Sequence, residues 1–175
     1  MRTLFLYIAS SLDGFIARPN GDISWLESVE KQGQDYGYAE FMKKIDTVIW
    51  GRKTYEKIVS FGGDFIPKDK KCYVITSQQL TQNQGVSFYN GNLENLILEL
   101  KNQKSEQHIF CDGGAELINN LLKSQLIDRL IVSIIPILLG NGIRLFGTQN
   151  PEKKLRLLHC QAFESGLVQV EYEVL

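Results

Sequence analysis

Cysteine and histidine are scarce in this 175-residue chain. The three cysteines, Cys72, Cys111 and Cys160, are far apart, and no pair has the C-x-x-C spacing. An odd number of widely separated cysteines predicts free thiols in a reducing compartment rather than a disulfide framework. The two histidines, His108 and His159, are also isolated. The sequence therefore predicts no metal site.

An excess of either charge and a long apolar run are also absent. Lysine and arginine total 19, and aspartate and glutamate total 20. Such a chain has no overall field that would attract nucleic acid or an anionic membrane, so we expect neither partner and look for anion sites only locally. No stretch approaches the roughly 20 apolar residues of a membrane span, and the apolar start lacks a signal-peptide cleavage pattern. These features predict a cytoplasmic protein.

The apolar residues that are present predict an α/β fold. Hydrophobic residues make up 43% of the chain, and the length predicts one domain over residues 1–175. Short apolar runs such as 4–9 and 130–138 alternate with stripes of helical spacing. At the C-terminal end, runs at 155–163 and 167–175 predict a hairpin. The order predicts a mainly parallel central sheet with helices on both faces and a C-terminal antiparallel hairpin.

One turn after a predicted strand combines glycine with two cations. Gly51 allows a sharp turn, and Thr54 opens a helix whose N-terminal N–H groups attract phosphate. Arg52 and Lys53 add two positive charges beside it. The turn is therefore a candidate phosphate site, and the alternative is the solvated basic start of a helix.

Two further turns follow strands along the chain. Thr76 and Ser77 suit a ribose or its 2′-phosphate, or else form a turn that satisfies its own backbone. The other turn has the sequence Asp112-Gly113-Gly114-Ala115-Glu116. Its glycines would let a pyrophosphate approach a helix N-terminus, and the alternative is a tight strand-to-helix connection. Ligands bind at the carboxyl ends of parallel strands, so the three turns together predict a dinucleotide site.

Several of these segments resemble known reductases. The sequence G-R-K-T-Y-E at 51–56 resembles the G-R-x-T-[WY]-E segment of dihydrofolate reductases. S-L-D-G-F-I-A at 11–17, G-G-A-E-L-I-N-N-L-L at 113–122 and the segment at 127–146 resemble the reductase domain of bacterial riboflavin biosynthesis and its stand-alone relatives. The resemblance covers nearly the whole chain in order. It implies a dihydrofolate reductase-like fold and an NADPH-dependent oxidoreductase.

The resemblance also implies residues that bind NADPH. Ala9 would meet the nicotinamide carboxamide through its backbone, and Ile16 and Ala17 would line the ring. The rest of the cofactor would lie against the three turns, at Gly51, Arg52, Lys53, Thr54, Thr76, Ser77, Asp112, Gly113, Gly114, Ala115 and Glu116. Since these relatives commonly dimerise, a homodimer through 131–139 and its flanks is expected; the alternative is that this segment is simply a buried strand.

The catalytic residues are less clearly indicated. Dihydrofolate reductases carry an acid early in the first helix, and here Asp35 is the nearest candidate. Asp13 is a second, because its loop would lie near the nicotinamide. The alternatives are a helix-start residue for Asp35 and a turn residue for Asp13. Trp25 and Phe41 would stack against a planar substrate, or belong to the core.

The implied reaction is hydride transfer to a C=N or C=O bond of a small pterin-like or riboflavin-precursor-like molecule, of the type reduced by 5-amino-6-(5-phosphoribosylamino)uracil reductase. A phosphorylated substrate needs a second basic site, and Arg144 is a candidate whose alternative is a solvated loop residue. Two other functions stay open. One is a non-catalytic NADPH-binding module of the same fold, and the other is an FMN-binding, flavodoxin-like carrier.

Overall fold

A computed structural model describes residues 1–62, 66–78 and 85–175, and within them the chain builds a large sheet, a small sheet and flanking helices. The strands are β1 (Leu4–Ser11), β2 (Phe15–Ala17), β3 (Ile45–Gly51), β4 (Lys71–Ile75), β5 (Val86–Tyr89), β6 (His108–Gly113), β7 (Arg129–Ile135), β8 (Ile143–Arg144), β9 (Leu155–Ala162) and β10 (Val168–Val174). The helices are α1 (Tyr38–Lys43), α2 (Arg52–Ser60), α3 (Leu93–Asn102) and α4 (Ala115–Lys123), with a 3₁₀ helix at Ser24–Val29.

The large sheet has the strand order β5-β4-β3-β6-β1-β7-β10-β9. The strands from β5 to β7 in this order run parallel. β10 pairs antiparallel with both β7 and β9. This topology confirms the predicted mainly parallel sheet and its C-terminal antiparallel hairpin.

Alternate side chains of β1 enter two different cores. Leu4 and Leu6 belong to a cluster with residues of α3 and α4. Phe5 belongs to a second cluster, where Phe41 of α1 and Tyr55 of α2 cover the opposite face. Successive strand residues point to opposite faces, and both faces of this strand are covered, which is why the sequence there reads as a continuous apolar run. The predicted placement of helices on both faces is confirmed.

Strand β7 ends earlier than its apolar run. The run extends to Leu138, but the strand stops at Ile135, directly before Pro136. Proline has no N–H to donate to a neighbouring strand, so the ladder ends there, as the sequence indicated. Tyr38, Phe41, Met42 and Ile45 have the spacing of one helix face, which predicts a helix that includes Ile45, but α1 ends at Lys43 and Ile45 is the first residue of β3.

The small sheet joins the loop after β1 to the loop after β7 at one end of the large sheet. β2 pairs antiparallel with β8. Gly142, just before β8, has a φ of +156°, and a Cβ atom there would lie 2.2 Å from the carbonyl oxygen of Ala17. Asn119 of α4 donates to the carbonyl oxygen of Leu145 at 3.2 Å and accepts from the N–H of Gly147 at 2.7 Å. The loops after β1 and β7 are therefore held close to each other.

Two buried cations form ion pairs at the opposite end of the parallel strands. The Lys101 side chain donates to the Asp128 carboxylate, with an Nζ to Oδ2 distance of 2.7 Å, and to the carbonyl oxygen of Leu126 at 2.7 Å. Arg2 pairs with Asp46 and donates to the carbonyl oxygen of Leu100 at 3.1 Å. These pairs lie at the amino ends of β1, β3 and β7, away from the turns that follow β3, β4 and β6.

Candidate active site

Two glycine turns meet at the carboxyl ends of β3 and β6. The register of these strands pairs Trp50 with Gly113, so the turns that follow are neighbours. A Cβ atom on Gly51 would lie 3.4 Å from the backbone nitrogen of Gly114. A Cβ atom on Gly114 would lie 2.9 Å from the Thr54 hydroxyl oxygen. The close approach of the two turns therefore requires a residue without a side chain at Gly114.

Each of these turns opens a helix that has no side-chain cap. The N-cap residues of α2 and α4 are Gly51 and Gly114, and glycine has no side chain that could accept a hydrogen bond from the first-turn N–H groups. The N–H groups of a helix's first turn lack partners inside the helix, and the helix dipole adds positive potential there. Two such ends at one edge of the sheet form a candidate anion site in a chain that has almost no net charge.

The basic residues of the first turn lie beside this site. Arg52 and Lys53 are the first residues of α2, and Lys53 is exposed. The Arg52 guanidinium lies 2.5 Å from the Glu56 carboxylate one helical turn later. The spacing of four residues between them was the sequence signal for this pair, which the sequence analysis missed. An incoming phosphate would meet a guanidinium that is held by Glu56 on one side.

The third predicted turn lies at the same edge. β4 lies next to β3 and pairs Ile75 with Gly51, so Thr76 and Ser77 follow directly. The Thr76 hydroxyl accepts a hydrogen bond from the backbone N–H of Gln78 at 3.1 Å, and Ser77 is exposed. The structure thus gives Thr76 the turn-forming contact that was its alternative interpretation, at a position adjacent to the anion site.

Asp112 has a different environment from the rest of its turn. Its carboxylate accepts a hydrogen bond from the Trp50 indole N–H at 2.9 Å. Burial raises the pKa of Asp112 to about 6, against the lowering effect of the Trp50 hydrogen bond. Ala115 and the exposed Glu116 are the first residues of α4. Asp112 is therefore a titratable group under the turn, and nothing in the D-G-G-A-E pattern indicated its burial.

Residues predicted to lie near a nicotinamide come from β1 and β2. The Ile8 side chain would be 3.6 Å from a Cβ on Gly113, and Ile16 packs into the same core cluster as Ile8. Ala17 is buried in β2. Ala9 lies on the other face of the sheet, where its register partner on β7 is Ser133.

A cavity of about 660 Å³ opens beside Ala9. Its lining includes Tyr7, Ala9, Asp35, Tyr38, Ser133 and Ile135. A cavity of this size is within the range of small-molecule sites in proteins, and it lies at the carboxyl end of β1. It is therefore a candidate substrate site next to the strand that the resemblance assigned to the nicotinamide.

A neutral hydrogen-bond network forms the floor of this cavity. The Gln169 side-chain nitrogen donates to the Tyr7 hydroxyl at 2.8 Å and to the Ser133 hydroxyl at 3.1 Å. Tyr7 in turn donates to the carbonyl oxygen of Tyr36 at 3.1 Å. Desolvation raises the pKa of Tyr7, so its hydroxyl remains protonated. Sequence reasoning missed Gln169, because only the tertiary pairing of β10 with β7 brings it here.

Asp13 joins the loop after β1 to the loop after β7. Its carboxylate accepts from the Ser11 hydroxyl at 2.6 Å and from the backbone N–H groups of Leu139 at 3.1 Å and Gly140 at 2.7 Å. The Ser11 hydrogen bond is the largest cause of a lowered pKa at Asp13. These contacts agree with its interpretation as a turn residue, and a catalytic role for Asp13 stays a prediction.

Asp35 lies on the cavity wall and binds backbone N–H groups at the start of α1. Its carboxylate accepts from the backbone N–H of Ala39 at 2.9 Å and of Gly37 at 3.0 Å. These hydrogen bonds, the Ala39 bond first, lower the pKa of Asp35. The carboxylate is therefore ionised at neutral pH at the edge of the cavity. Its proposed role in proton transfer stays a prediction.

The two aromatic residues predicted to hold a substrate lie in the core. Trp25 is 4% exposed and packs with Val29, Ile135 and Leu167. Its indole N–H has no hydrogen-bond partner among the described residues. Phe41 is buried against the ring of Tyr7, with a centroid distance of 4.9 Å. Both pack behind residues of the cavity wall, and their contact with a substrate stays a prediction.

Other kinds of site find little support in the described ranges. Within residues 1–62, 66–78 and 85–175, no group of three histidine, cysteine, aspartate or glutamate side chains is placed to hold a metal ion. No helix in this part of the chain is both long and apolar enough to cross a membrane. The Arg144 guanidinium lies over the Phe15 ring, 4.7 Å from its centroid.

Comparison with known proteins supports the same fold. A protein of Bacillus subtilis (strain 168) named uncharacterized protein YwjB is 42% identical over 172 residues, covering 98% of this chain and 97% of its own. A putative riboflavin biosynthesis protein from Shewanella sp. PV-4 has a TM-score of 0.89 with 32% identity, and the match covers 100% of this chain and 99% of that one.

A more distant structure shares the fold over part of its length. It is the diaminohydroxyphosphoribosylaminopyrimidine deaminase/5-amino-6-(5-phosphoribosylamino)uracil reductase of Thermotoga maritima, with a TM-score of 0.73, 15% identity, and coverage of 99% of this chain and 57% of that chain. Residues 2–169 match the family model described as the RibD C-terminal domain. The resemblance to riboflavin biosynthesis reductases is thus confirmed, and the chain belongs to the RibD C-terminal domain family.

Proposed function

We propose that this protein is an NADPH-dependent reductase that transfers hydride to a C=N or C=O bond of a small pterin-like or pyrimidine-type substrate. One observation carries the proposal. The uncapped N-termini of α2 and α4 meet at Gly51 and Gly114, with Arg52 and Lys53 beside them. This is a site for a ligand with several phosphates, next to a cavity that suits a planar substrate.

The residues present fit a dinucleotide with an extra phosphate. The Gly114 backbone forms a cradle that a side chain would fill, because a Cβ there would lie 2.9 Å from the Thr54 hydroxyl. The pyrophosphate would be held by N–H groups of the two turns. Arg52 and Lys53 would hold the 2′-phosphate, with Thr76 and Ser77 near the ribose. When bound, the cofactor supplies the hydride.

The cavity residues orient the substrate and handle its proton. A carbon that accepts hydride leaves its nitrogen or oxygen partner to take a proton. The contacts of Asp13 and Asp35 lower the pKa of both carboxyl groups, so neither stores a proton at neutral pH. The proposal therefore takes the proton from water, with Asp35 orienting the donor at the cavity edge. Ala9 presents backbone atoms to the reacting ring.

A second function, an NADPH-binding module without activity, has one observation in its favour. Each of the two carboxylates predicted to act in catalysis is already bound by backbone N–H groups. The FMN carrier is not supported by the family match or by the uncapped basic turn at Gly51.

Turnover separates the reductase from the binding module. The absorbance of reduced nicotinamide is followed while the protein is incubated with NADPH and each of a panel of dihydropterins, oxidised pterins and ribosylaminopyrimidines. The reductase proposal expects loss of absorbance with at least one of them, with none in the absence of substrate. NADPH binding without consumption across the panel would favour the inactive module instead.

A further inference from the structure

The cavity beside Ala9 carries no unpaired positive side chain among its described lining residues. The charged residues there are Glu30, Lys31 and Asp35. The Lys31 ammonium lies 2.5 Å from the Glu164 carboxylate, so its charge is already paired. Asp35 is held ionised by its backbone contacts. The rim is therefore negative.

A phosphorylated substrate does not suit this rim. A phosphomonoester carries about −1.5 to −2 charges at neutral pH, and proteins bind it with arginine, lysine or exposed N–H groups. At this cavity the charge would face Glu30 and Asp35 instead. The Arg144 side chain, a possible cation from the sequence, stacks on Phe15. Binding a phosphate here would need these carboxylates to be displaced or neutralised.

The floor of the cavity suits a neutral heterocycle. The Gln169 side-chain amide nitrogen donates hydrogen bonds to the hydroxyl oxygens of Tyr7 and Ser133. Tyr7 and Ser133 line the cavity, and the Ser133 hydroxyl oxygen accepts the Gln169 hydrogen bond, which leaves the hydroxyl proton of Ser133 to donate to a ligand. Such a donor complements a ring edge that carries a carbonyl oxygen. Pteridine and uracil rings carry such an edge.

We propose that the substrate is an unphosphorylated planar heterocycle with a carbonyl group on its edge, bound by the Ser133 hydroxyl that Gln169 positions, and that the rim carboxylates reject its phosphorylated form. This inference rests on the proposed reductase function and narrows its substrate class. It separates this chain from the Thermotoga maritima protein, whose name states a phosphoribosyl substrate. Gln169 acts as a positioning residue, because it holds the two hydroxyls that line the cavity.

A matched pair of probes tests the charge argument. The pair is 5-amino-6-(5-phosphoribosylamino)uracil and the same compound after removal of its phosphate, each titrated calorimetrically without oxygen into the protein saturated with NADP⁺, which has no hydride to transfer. Since like-charge contacts in a binding site cost several kcal/mol, we expect the dephosphorylated compound to bind at least about tenfold more tightly. Equal affinity, preference for the phosphate, or binding of neither compound overturns the inference. A separate NADPH titration shows whether the proposed function itself has failed.

Two variants test the residues. Glu30→Lys places a cation at the rim. We expect it to reduce the ratio of the two probes' binding affinities by about tenfold. Gln169→Met removes the hydrogen-bond donor that holds Tyr7 and Ser133. It should weaken binding of the dephosphorylated probe about tenfold while the NADPH affinity stays the same. Gln169→His, which keeps a ring N–H, should restore part of the loss.

The matched control for Gln169 is Gln161→Met, on the neighbouring strand at the register partner of Gln169 and exposed. It should change neither affinity. If Gln169→Met and Gln161→Met behave alike, Gln169 does not position the floor. If Gln169→Met weakens NADPH binding as much as binding of the dephosphorylated probe, its effect is a general loss of structure. The positioning role is then rejected.

Discussion

Trp50 donates its indole N–H to the half-buried carboxylate of Asp112 at 2.9 Å, joining the ends of β3 and β6 beneath the glycine turns. The indole fills the core under α2 and supplies a polar contact to a group that the turn geometry buries. Burial outweighs this hydrogen bond, because the pKa of Asp112 remains raised to about 6. The relationship makes the stability of this edge depend on pH.

The sign of that dependence follows from the two states. The pKa of Asp112 is about 6 in the folded protein against 3.8 as its ordinary value, so the folded state binds the extra proton between these values. Stability contributed by this group is therefore greatest below about pH 4 and is lost as the pH rises towards about 6. We expect Asp112→Asn to gain up to about 3 kcal/mol relative to the native protein between these limits.

Urea unfolding at several pH values across this window measures that difference. The matched control is Asp69→Asn, an exposed carboxyl whose pKa is lowered by its hydrogen bond with Lys70. Its contribution to stability changes near and below its ordinary pKa, so the native-minus-variant difference in unfolding free energy should stay nearly flat between about pH 4 and about pH 6. A native-minus-variant difference for Asp112 that does not change with pH would contradict the burial argument.

The contact between Gly114 and Thr54 predicts a rescue. Gly114→Ala would place a methyl group 2.9 Å from the Thr54 hydroxyl oxygen, so we expect a loss of about 1 to 3 kcal/mol in unfolding free energy and weaker NADPH binding. Thr54→Ala in the same chain removes the clash and should recover most of the stability. Calorimetric unfolding of the two single variants and the double variant forms a thermodynamic cycle, and strictly additive effects would show that the two turns are not in contact.

Lys101 and Asp128 give a variant that separates stability from binding. Lys101 is 5% exposed, and Asp128→Ala leaves its ammonium without the carboxylate. Breaking a buried ion pair typically costs about 3 to 5 kcal/mol of unfolding free energy. Because Asp128 is partly exposed, we expect a loss of about 3 kcal/mol. Lys101→Met together with Asp128→Ala should recover much of this loss.

Since the Lys101 pair lies at the opposite edge of the sheet, the NADPH dissociation constant should not change in Asp128→Ala. Urea unfolding and calorimetric titration, measured on the same preparation below the unfolding transition, check both expectations. A large loss of NADPH affinity in the folded variant would place the cofactor elsewhere.

The proposed homodimer needs an apolar surface that the single chain leaves open. β7 is an interior strand between β1 and β10, so most of 131–139 is covered within the chain. Leu138, however, is 69% exposed beyond the carboxyl end of β7, and the edge strand β9, which pairs with β10, exposes Leu155 and Leu157 near the other end of the sheet. We propose that a dimer forms through these flanks. Leu138→Asp with Leu157→Asp should then be monomeric by light scattering, while the native chain has twice that mass.

Leu98→Asp is the matched control for the dimer, because Leu98 is 49% exposed on α3, away from this surface. It should leave the mass unchanged. A native chain that is monomeric at concentrations where NADPH binding is measured would reject the dimer.

The sequence predicted the fold where the pattern of apolar residues in a strand reflects the burial of that strand in the sheet. The two-face burial of β1 appears as a continuous apolar run, and the half-exposed β10 appears as strict alternation from Val168 to Val174. The turns at Gly51 and Gly114 were also readable, because glycine after a strand and before a helix marks a close approach.

The cavity was not readable in the same way. Its floor joins Tyr7 to Gln169, which are 162 residues apart, and only the order of strands in the sheet brings them together. The burial of Asp112 likewise depends on Trp50 across a strand pair. Asp13 and Asp35 were recognised as notable residues, but their hydrogen bonds to backbone N–H groups depend on loop conformations that composition does not indicate.

Discrimination between NADPH and NADH tests the central claim most directly. Both are titrated calorimetrically into the native protein, Arg52→Glu and the matched control Lys57→Glu at the other end of α2. Since a charge-assisted hydrogen bond contributes about 1.5 to 3 kcal/mol, we expect NADPH to bind the native protein and Lys57→Glu at least about tenfold more tightly than NADH, and Arg52→Glu to lose that preference. Equal affinities in the native protein, or a preference that survives Arg52→Glu unchanged, would contradict the account.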